Sequence, residues 1–328
     1  MNNVQVSVCV ITYNQERYIK KCLESIINQK TEFIYELLIS DDGSSDNTRE
    51  IINKAIEENN NEKCHVRLIH SEKNLGANAN FRKLFNAAAA QWITTCEGDD
   101  YWLSDNKLHQ QLAYVNEHTH CTLLVHPAYT DDNGHLKDIQ WPCQQKVISN
   151  VGDVISAKAQ FAPTSSYFFK SQLISVLPDW FDRAPVGDLY IEIYATSMGE
   201  CHCLPDYLSA YRIEAEGSWS SNLKEDGKGI KIVKAYESQI ACLKEVQRYF
   251  NDYNKEIDIK SSHARYACAM GYLMSNNFVL FKQNMKLSKT DQWYDSLHKA
   301  LYYSRSSKIL VKSIMLLKPI IKKIRKAM

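Results

Sequence analysis

The first 108 residues alternate between short apolar runs and segments with the periodicity of helices. The first run, VSVCVI at 6–11, is dominated by β-branched residues, as is typical of a parallel strand covered on both faces. Further strands are predicted at 35–40, 66–70 and 92–96, with helices between them at 18–29, 48–57 and 81–90. Strands that alternate with helices through short connections predict an α/β fold, with a Rossmann-like, mostly parallel sheet flanked by helices.

A polar cluster follows each of the four predicted strands. The clusters are Thr12, Tyr13, Asn14 and Glu16; Asp41 and Asp42; Asn74 and Gly76; and Glu97, Gly98, Asp99 and Asp100. Ligands of open α/β sheets bind in the crevice outside the carboxyl ends of the strands. Four clusters at one edge therefore indicate a ligand site, although each cluster taken alone also fits a solvated polar turn.

The acidic turn at 97–100 places three carboxylates within four residues. Such groups repel one another, and oxygen ligands favour hard cations such as Mg²⁺ or Mn²⁺, which relieve the repulsion. The chain lacks the glycine-rich phosphate-binding motifs G-x-G-x-x-G and G-x-x-x-x-G-K-[ST]. A nucleotide diphosphate bound here would therefore need a divalent metal. Two roles are compatible for Asp41 or Asp42: accepting a hydrogen bond from a base or ribose, and capping the helix predicted to begin near Thr48.

Four stretches carry a family resemblance when they are read in order. They are VSVCVITYNQERYIKKCLESIINQ at 6–29, ELLISDDGSSDNT at 36–48, KNLGANANF at 73–81 and ITTCEGDDYWLSDNKLHQQ at 93–111. Together they resemble the family 2 glycosyltransferases, which have the glycosyltransferase A fold and transfer a sugar from a nucleotide-sugar, usually with inversion. The resemblance covers about residues 4 to 220.

This resemblance implies a role for each polar cluster. Thr12, Tyr13 and Asn14 would line the nucleotide pocket, and Asp41 or Asp42 would contact uracil or ribose. The full set predicted to bind the nucleotide-sugar is Thr12, Tyr13, Asn14, Glu16, Asp41, Asp42, Asn74, Gly76, Glu97, Gly98, Asp99, Arg212 and Trp219. The predicted ligands of Mg²⁺ or Mn²⁺ are Asp99, Asp100 and Glu214. Glu97 stands where the family often carries an aspartate.

Asp188 lies in the first turn of a helix predicted to run to about Met198. A carboxylate is favourable there because of the helix dipole, which is one explanation for it. In the resembled family an acid at this place is the catalytic base. An inverting displacement needs such a base to take the proton of the acceptor hydroxyl.

The segment after the last predicted strand departs from the family pattern. The family typically reads Tyr-Arg-x-His, and this chain has Glu214 in place of the histidine. Either Glu214 substitutes as an oxygen ligand, or Arg212 handles the charge of the diphosphate. Trp219 either stacks on a sugar or packs under its loop.

Two domains are predicted. The first, at 1–220, combines a nucleotide-sugar half at 1–108 with an acceptor half at 109–220, where the pattern weakens to strands at 122–126 and 164–169 and a hairpin turn at 131–134. The second, at 221–328, is helical. Its tail at 305–328 has eight basic and no acidic residues between apolar ones. This pattern predicts a helix that binds an anionic membrane surface, or alternatively one docked on its domain with a solvated basic face.

Composition limits the classes of binding partner and the cellular compartment that are expected for this chain. A formal net charge of +1 argues against nucleic acid as a partner. The ten cysteines are scattered, as expected of buried thiols in a reducing compartment. The chain opens on a strand without a signal-peptide pattern, and no run reaches the roughly 20 apolar residues that span a bilayer. The expected location is cytoplasmic, peripheral at the inner face of the cell membrane.

The sequence therefore predicts a metal-dependent inverting glycosyltransferase. It would move a hexose or N-acetylhexosamine from a UDP-linked sugar to a glycan or lipid-linked glycan, and the resemblance implies bacterial cell-surface polysaccharide assembly. A nucleotidyltransferase would need a glycine-rich loop with Arg or Lys after the first strand, and residues 12–16 do not form one. A non-catalytic protein that binds sugar-nucleotides or glycans is the open alternative, because of Glu97 and Glu214.

Overall fold

The computed structural model describes residues 4–71, 73–213, 215–216 and 227–327. The chain divides into two compact units, Met1–Ser218 and Trp219–Met328. Within the described ranges, all strands belong to the first unit, and the second unit is helical.

The first four strands form a parallel sheet, which confirms the prediction from their alternation with helices. The elements are β1 (Val6–Thr12), α1 (Ile19–Ile27), β2 (Tyr35–Asp41), α2 (Thr48–Glu57), β3 (Cys64–Leu68), α3 (Ala77–Ala87) and β4 (Trp92–Glu97). In space the strands lie in the order β3-β2-β1-β4, and all neighbours are parallel. Every residue of β1 and β2 is buried, as expected of strands covered on both faces.

Helix α3 begins four residues earlier than predicted, at Ala77. Asparagines such as Asn78 and Asn80 favour turns when they bond to their own backbone. Here both amides bond to distant backbone instead. Asn80 Nδ2 donates to Ser40 O at 3.2 Å, and Asn78 Nδ2 donates to the carbonyls of residues 181 and 184 at 3.0 and 2.8 Å. These tertiary bonds leave the backbone free to be helical.

The second half of the first unit extends the sheet and adds a small one. Its elements are β5 (Tyr101–Trp102), α4 (Lys107–Glu117), β6 (Cys121–Val125), β7 (Ala128–Asp132), β8 (His135–Lys137), β9 (Ile148–Ser149), α5 (Val151–Ser156), β10 (Phe168–Lys170), α6 (Leu173–Val176), α7 (Asp188–Ser197), β11 (Glu200–Cys203) and β12 (Ser209–Arg212). The large sheet has the order β3-β2-β1-β4-β10-β6-β11-β9, with β9 and β10 antiparallel to their neighbours. The small sheet has the order β5-β12-β7-β8.

One local prediction in this half is confirmed, and another is wrong over its first four residues. The hairpin turn joins antiparallel β7 and β8, with positive φ of 51° at Asn133 and 91° at Gly134. The strand predicted at 164–169 is a 3₁₀ turn, Thr164–Ser166, followed by the short β10. Ser166 folds back on Pro163 O, to which its N–H donates at 2.8 Å and its hydroxyl at 2.6 Å, and such local bonds compete with a strand.

The second unit consists of helices in the residues that the structure describes. They are α8 (Ile230–Tyr249), α9 (Asn254–Met274), α10 (Phe278–Leu287), α11 (Ser296–Ser304) and α12 (Lys308–Ala327). Gly229, at φ 75°, lets the start of α8 approach α9, because a Cβ there would lie 2.5 Å from Gly271 O. No described helix combines the length and the apolar character needed to cross a bilayer.

Candidate active site

The carboxyl ends of β1, β2 and β4 lie side by side. Thr12 pairs with Asp41 across β1 and β2, and Ile11 pairs with Glu97 across β1 and β4. Neighbouring strands are about 4.8 Å apart, so the clusters that follow these strands meet at one edge of the sheet. We call this edge, with the loops that follow the three strands, the rim.

Hydrogen bonds join the loop after β1 to the loop after β2. Asn14, with φ 52°, accepts at Oδ1 from the N–H of Ser45 at 2.8 Å. Glu16 Oε2 accepts from the N–H of Asn47 at 2.9 Å. Asn14 and Glu16 therefore fix the two loops to each other. Tyr13, by contrast, is 46% exposed.

Asp41 is fully buried, and both of its oxygens are bonded within the protein. Oδ1 accepts from the N–H of Ser44 at 3.1 Å, and Oδ2 accepts from Arg49 Nε at 3.2 Å. Neither oxygen caps α2. The N-cap residue of α2 is Asn47, whose side chain makes no capping hydrogen bond, and the N–H of Thr48, the first residue of α2, donates to Asp46 Oδ1 at 3.0 Å.

Asp42 closes the loop that precedes α3. Its Oδ1 accepts from the N–H of Leu75 at 2.8 Å, and its Oδ2 accepts from the N–H of Gly76 at 2.9 Å. Asn74 Oδ1 accepts from the same Gly76 N–H at 3.0 Å, and Gly76 has a φ of 87° that favours glycine. The predicted cluster at 74–76 is thus brought to the rim and tied to the end of β2.

Gly98 lets the acidic turn pack against the loop after β1. A Cβ at this position would lie 2.4 Å from Gln15 Oε1 and 2.9 Å from Thr12 Oγ1, closer than van der Waals contact. Thr12 Oγ1 donates to Gln15 Oε1 at 2.8 Å, and the N–H of Gly98 donates to Ile11 O at 2.9 Å. Close approach, rather than an unusual φ, therefore requires glycine here.

Asp100 anchors β12 to the acidic turn. It is 1% exposed, and its Oδ1 accepts from the N–H of Arg212 at 2.9 Å. The Arg212 guanidinium donates to the carbonyl of Asp99 and lies 4.9 Å from the ring centroids of both Tyr18 and Tyr101. Asp100 Oδ2 is buried and has no hydrogen-bond partner among the described residues. A buried carboxylate oxygen of this kind either carries a proton or faces a cation.

Carboxylates from two separate segments interact at the rim. Burial raises the pKa of Glu97 to about 8, and the negative charges of Asp99 and Asp188 contribute to the shift. Burial, with Asp99 beside it, also raises the pKa of Asp100 well above its usual range. Burial and the surrounding acids raise the pKa of Tyr211 in the same way. Asp188, from the acceptor half, therefore shares one electrostatic environment with the acidic turn.

Asp188 is positioned by the loop before α7. Its Oδ1 accepts from the N–H of Leu189 at 2.7 Å, a contact at the helix terminus that is compatible with both interpretations of this residue. Gly187 lies against α3, because a Cβ there would be 2.3 Å from Asn78 Oδ1. The Asn78 amide also holds the loop at residues 181 and 184. Helix α3 thus fixes where Asp188 begins α7.

Two predicted site residues, Glu214 and Trp219, lie outside the described residues. In the part of the chain that is described, no three His, Cys, Asp or Glu side chains come close enough to share a metal ion. Mg²⁺ at phosphate-transfer sites is usually held by one or two carboxylates together with the substrate phosphates. Half-buried Asp99 and the unpartnered oxygen of Asp100 are hard donors of that kind.

Several residues that shape the rim were missed by the sequence analysis. Asn78 and Gln15 lie inside the family motifs at 73–81 and 6–29. Their polar side chains in these motifs could have indicated a role at the site. Thr164 hydrogen bonds to the Glu97 carboxylate, and Tyr211 lies beside the acids. Tyr211 lies in the motif that carries Arg212 and Glu214. Thr164 gave no signal, because its contact joins segments that are distant in sequence.

A family model described as "Glycosyl transferase family 2" matches residues 7–174, slightly more than half of the chain. The chain belongs to this family. The match covers β1 to β4, the acidic turn and part of the acceptor half, so the rim of this glycosyltransferase is built mostly from the matched segment.

Relatives of this glycosyltransferase occur among curated proteins. It is 32% identical over 220 residues to an uncharacterized protein of Mycobacterium tuberculosis, covering 66% of this chain and 61% of that protein. The chain thus spans about three fifths of the length of that relative. It is 33% identical over 112 residues, 34% of this chain and 42% of the relative, to the "Putative teichuronic acid biosynthesis glycosyltransferase TuaG" of Bacillus subtilis.

Solved structures share the fold of this glycosyltransferase. TarS of S. aureus, crystallised with UDP-GlcNAc, aligns with a TM-score of 0.68 at 15% identity over 96% of this chain and 92% of that chain. The mannosyltransferase PcManGT of Pyrobaculum calidifontis, in complex with GDP-Man and Mn²⁺, aligns with a TM-score of 0.58 at 11% identity over 95% and 86%. The chain therefore has the glycosyltransferase A fold, as the resemblance implied.

Proposed function

We propose that this family 2 glycosyltransferase moves a hexose or N-acetylhexosamine from a UDP-linked sugar to a hydroxyl of a glycan or lipid-linked glycan, with inversion. The observation that carries the proposal is the convergence of Asp188 with the acidic turn at the rim. An inverting transfer needs a base for the acceptor and a site for the charged leaving group side by side. The UDP-GlcNAc in TarS supports a UDP-linked donor.

Asp188 is the proposed base. The acceptor hydroxyl gives its proton to the Asp188 carboxylate while its oxygen bonds to the anomeric carbon of the donor. The bond between that carbon and the diphosphate oxygen breaks, and UDP leaves with the bonding electrons. Attack from the side opposite UDP inverts the configuration at the carbon.

The loops after β1 and β2 form the proposed nucleotide pocket. Tyr13 is an exposed aromatic residue in this pocket, and its ring would stack on the base. Asp41 and Asp42 each accept hydrogen bonds from the protein, but a carboxylate has about four acceptor positions. Each therefore retains capacity for a ribose hydroxyl or a base N–H. In this proposal Asn14 and Glu16 act by holding the pocket loops together.

A divalent cation, Mg²⁺ or Mn²⁺, is part of the proposal. Asp99 and Asp100 would hold it with the donor phosphates, and Glu214 is the further oxygen donor that the sequence offers. When bound, the cation offsets the charge of the diphosphate and stabilises UDP as a leaving group. The Mn²⁺ in PcManGT and the unpartnered Asp100 oxygen support this assignment.

The proposed pathway is the assembly of a cell-surface polysaccharide. The relative TuaG, which is named for teichuronic acid biosynthesis, supports this context. A lipid-linked acceptor would require the enzyme to reach the inner face of the cell membrane from the cytoplasm.

The experiment is a UDP-release assay with a panel of UDP-hexoses and UDP-N-acetylhexosamines, each with and without Mn²⁺. We expect one donor to release UDP well above the rest, and the release to depend on the cation. If UDP binds but no donor releases it, with either metal and with glycan acceptors present, the chain is a binding protein and the proposal fails.

A further inference from the structure

The last helix of the second unit, α12, carries apolar side chains on two sides. On its inner side Val311 is fully buried, and Ile314 and Met315 pack on the core that α9, α10 and α11 form. On its outer side four large apolar side chains are exposed, by 78% at Ile309, 55% at Leu310, 76% at Leu316 and 51% at Leu317. The inner side accounts for the docking of the helix and leaves the outer side without an intramolecular role among the described residues.

The outer residues form a single stripe. At about 3.6 residues per turn, positions 309, 310, 316 and 317 share one side of a helix, while 311, 314 and 315 share the other. In the sequence the spacing of this outer stripe continues with Ile320, Ile321 and Ile324. Among the residues whose side chains the structure describes, the stripe therefore runs from Ile309 to Leu317, about 12 Å of helix.

Charge selects the partner of the outer stripe. Residues 305–328 carry eight basic residues and no acidic one, and the described lysines of the helix, Lys308 and Lys312, are both exposed. An apolar stripe whose charged neighbours are all cations matches a bilayer that contains anionic lipids, where each cation near the surface adds to binding. A second copy of the chain would instead bring eight further positive charges against the first eight, which is unfavourable.

We propose that the outer stripe inserts into the headgroup region of an anionic lipid bilayer, with the flanking lysines against lipid phosphates. The role of this contact in acceptor delivery rests on the proposed function, whereas the contact itself does not require catalysis. The apolar side chains supply burial, and the cations supply a salt-sensitive attraction.

The test uses point substitutions in the full chain. Removing the tail would also remove Val311, which is buried in the core of the second unit, so a truncated protein would not isolate the outer stripe. Leu316→Asn/Leu317→Asn removes apolar area without changing charge. The matched control is Val279→Asn/Leu287→Asn, at side chains of α10 that are 67% and 60% exposed. Circular dichroism checks that each variant keeps its helix content.

The measurement is cosedimentation with vesicles of phosphatidylcholine and phosphatidylglycerol in equal amounts, and with phosphatidylcholine alone. We expect the native chain to bind the anionic vesicles about tenfold more tightly than the neutral ones, and added salt to weaken this binding. The Leu316/Leu317 variant should lose about tenfold or more in affinity, and the control variant should bind like the native chain.

Three results would overturn the proposal. The native chain does not sediment with anionic vesicles; the control variant loses as much binding as the stripe variant; or the native chain self-associates without lipid and the stripe variant does not, so that a second copy covers the stripe. UDP release in solution is measured on the same variants. Vesicle binding that depends on the stripe in a chain that releases no UDP would reject the proposed function and leave this inference standing.

Discussion

Two groups of acids lie at the same edge of the same sheet, and their surroundings differ. Asp41 and Asp42 are buried, and every one of their carboxylate oxygens accepts a hydrogen bond from the protein. The acids of the turn at 97–100 instead crowd one another and Asp188. Burial and these charges raise the pKa of Glu97 to about 8, and one oxygen of Asp100 has no partner among the described residues.

This difference distinguishes acids that build the rim from acids that respond to a ligand. A carboxylate already bonded to backbone N–H groups or to a guanidinium is stabilised before any ligand arrives. Crowded carboxylates are destabilised until a proton or a cation arrives, which is the usual electrostatic condition of functional groups. We therefore expect substitutions in the first group to lower stability, and substitutions in the second to alter turnover, cation dependence or pH dependence.

The largest effect is expected for Asp188→Asn. The amide keeps an oxygen for the N–H of Leu189 but is not a base, so transfer should fall on the order of 10²- to 10⁴-fold. UDP affinity, measured by calorimetry, should change little. Asp179→Asn makes the same chemical change at an exposed residue of the preceding 3₁₀ turn and should transfer sugar normally. Near-native turnover of the Asp188 variant would assign Asp188 to helix capping alone.

The second largest effect is expected for Asp42→Asn, which should lower the stability of the fold. The side-chain amide group would face one of the N–H groups of Leu75 and Gly76, so at least one charge-assisted hydrogen bond is lost. We expect a loss of about 2 kcal/mol in the free energy of unfolding, or about 4–8 °C in Tm. Differential scanning calorimetry measures the change. An unchanged Tm would mean that Asp42 does not hold the loop before α3.

Asp99→Asn provides the complementary case in the crowded group. Its substitution removes one negative charge from a cluster with several, so Tm should stay constant or rise. UDP affinity with Mn²⁺ should fall by about tenfold or more, since even outer partners of metal ligands contribute about that much. Affinity measured with EDTA should be the same in the variant and the native chain. If Mn²⁺ strengthens UDP binding equally in both, Asp99 does not hold the cation.

The sequence was sufficient for the position of these acids but not for the distinction between them. Apolar runs place Asp41, Asp42 and the acidic turn after parallel strands, and parallel strands bring their carboxyl ends together. What separates the groups is their partners. Arg49 lies eight residues after Asp41, and the N–H groups that bind Asp42 lie more than 30 residues away. Periodicity carries no information about such pairings.

In the acceptor half, contacts between distant segments limit prediction from the sequence more strongly. The strand predicted at 164–169 begins only at Phe168, because the hydroxyl and N–H of Ser166 bond to Pro163 O. Both β9 and β10 run antiparallel to their neighbours in the large sheet. Asn78 clamps the loop before Asp188 from more than 100 residues away. The resemblance identified Asp188 by its place in a motif, whereas the contacts that position it follow only from the folded chain.

The smallest effect is expected in the pH dependence of stability, which tests whether the acids of the turn at 97–100 destabilise one another. In the unfolded chain Glu97 loses its proton near its ordinary pKa of 4.5, whereas in the folded protein its pKa is about 8. The folded state therefore binds more protons between these values, and its stability falls as the pH rises from about 4.5 to about 8. Glu97→Gln cannot ionise and should flatten this part of the profile of Tm against pH, measured in EDTA.

The control for this measurement is Glu57→Gln, at an exposed position at the end of α2, which should keep the native profile. Every other titrating group remains in the Glu97 variant, so a difference confined to this pH range reports the Glu97 proton together with its effect on the neighbouring acids. If the two variants give the same profile, Glu97 ionises freely in the folded protein. The acidic turn would then resemble Asp41 and Asp42 in being stabilised before any ligand arrives, and the distinction between the two groups would be lost.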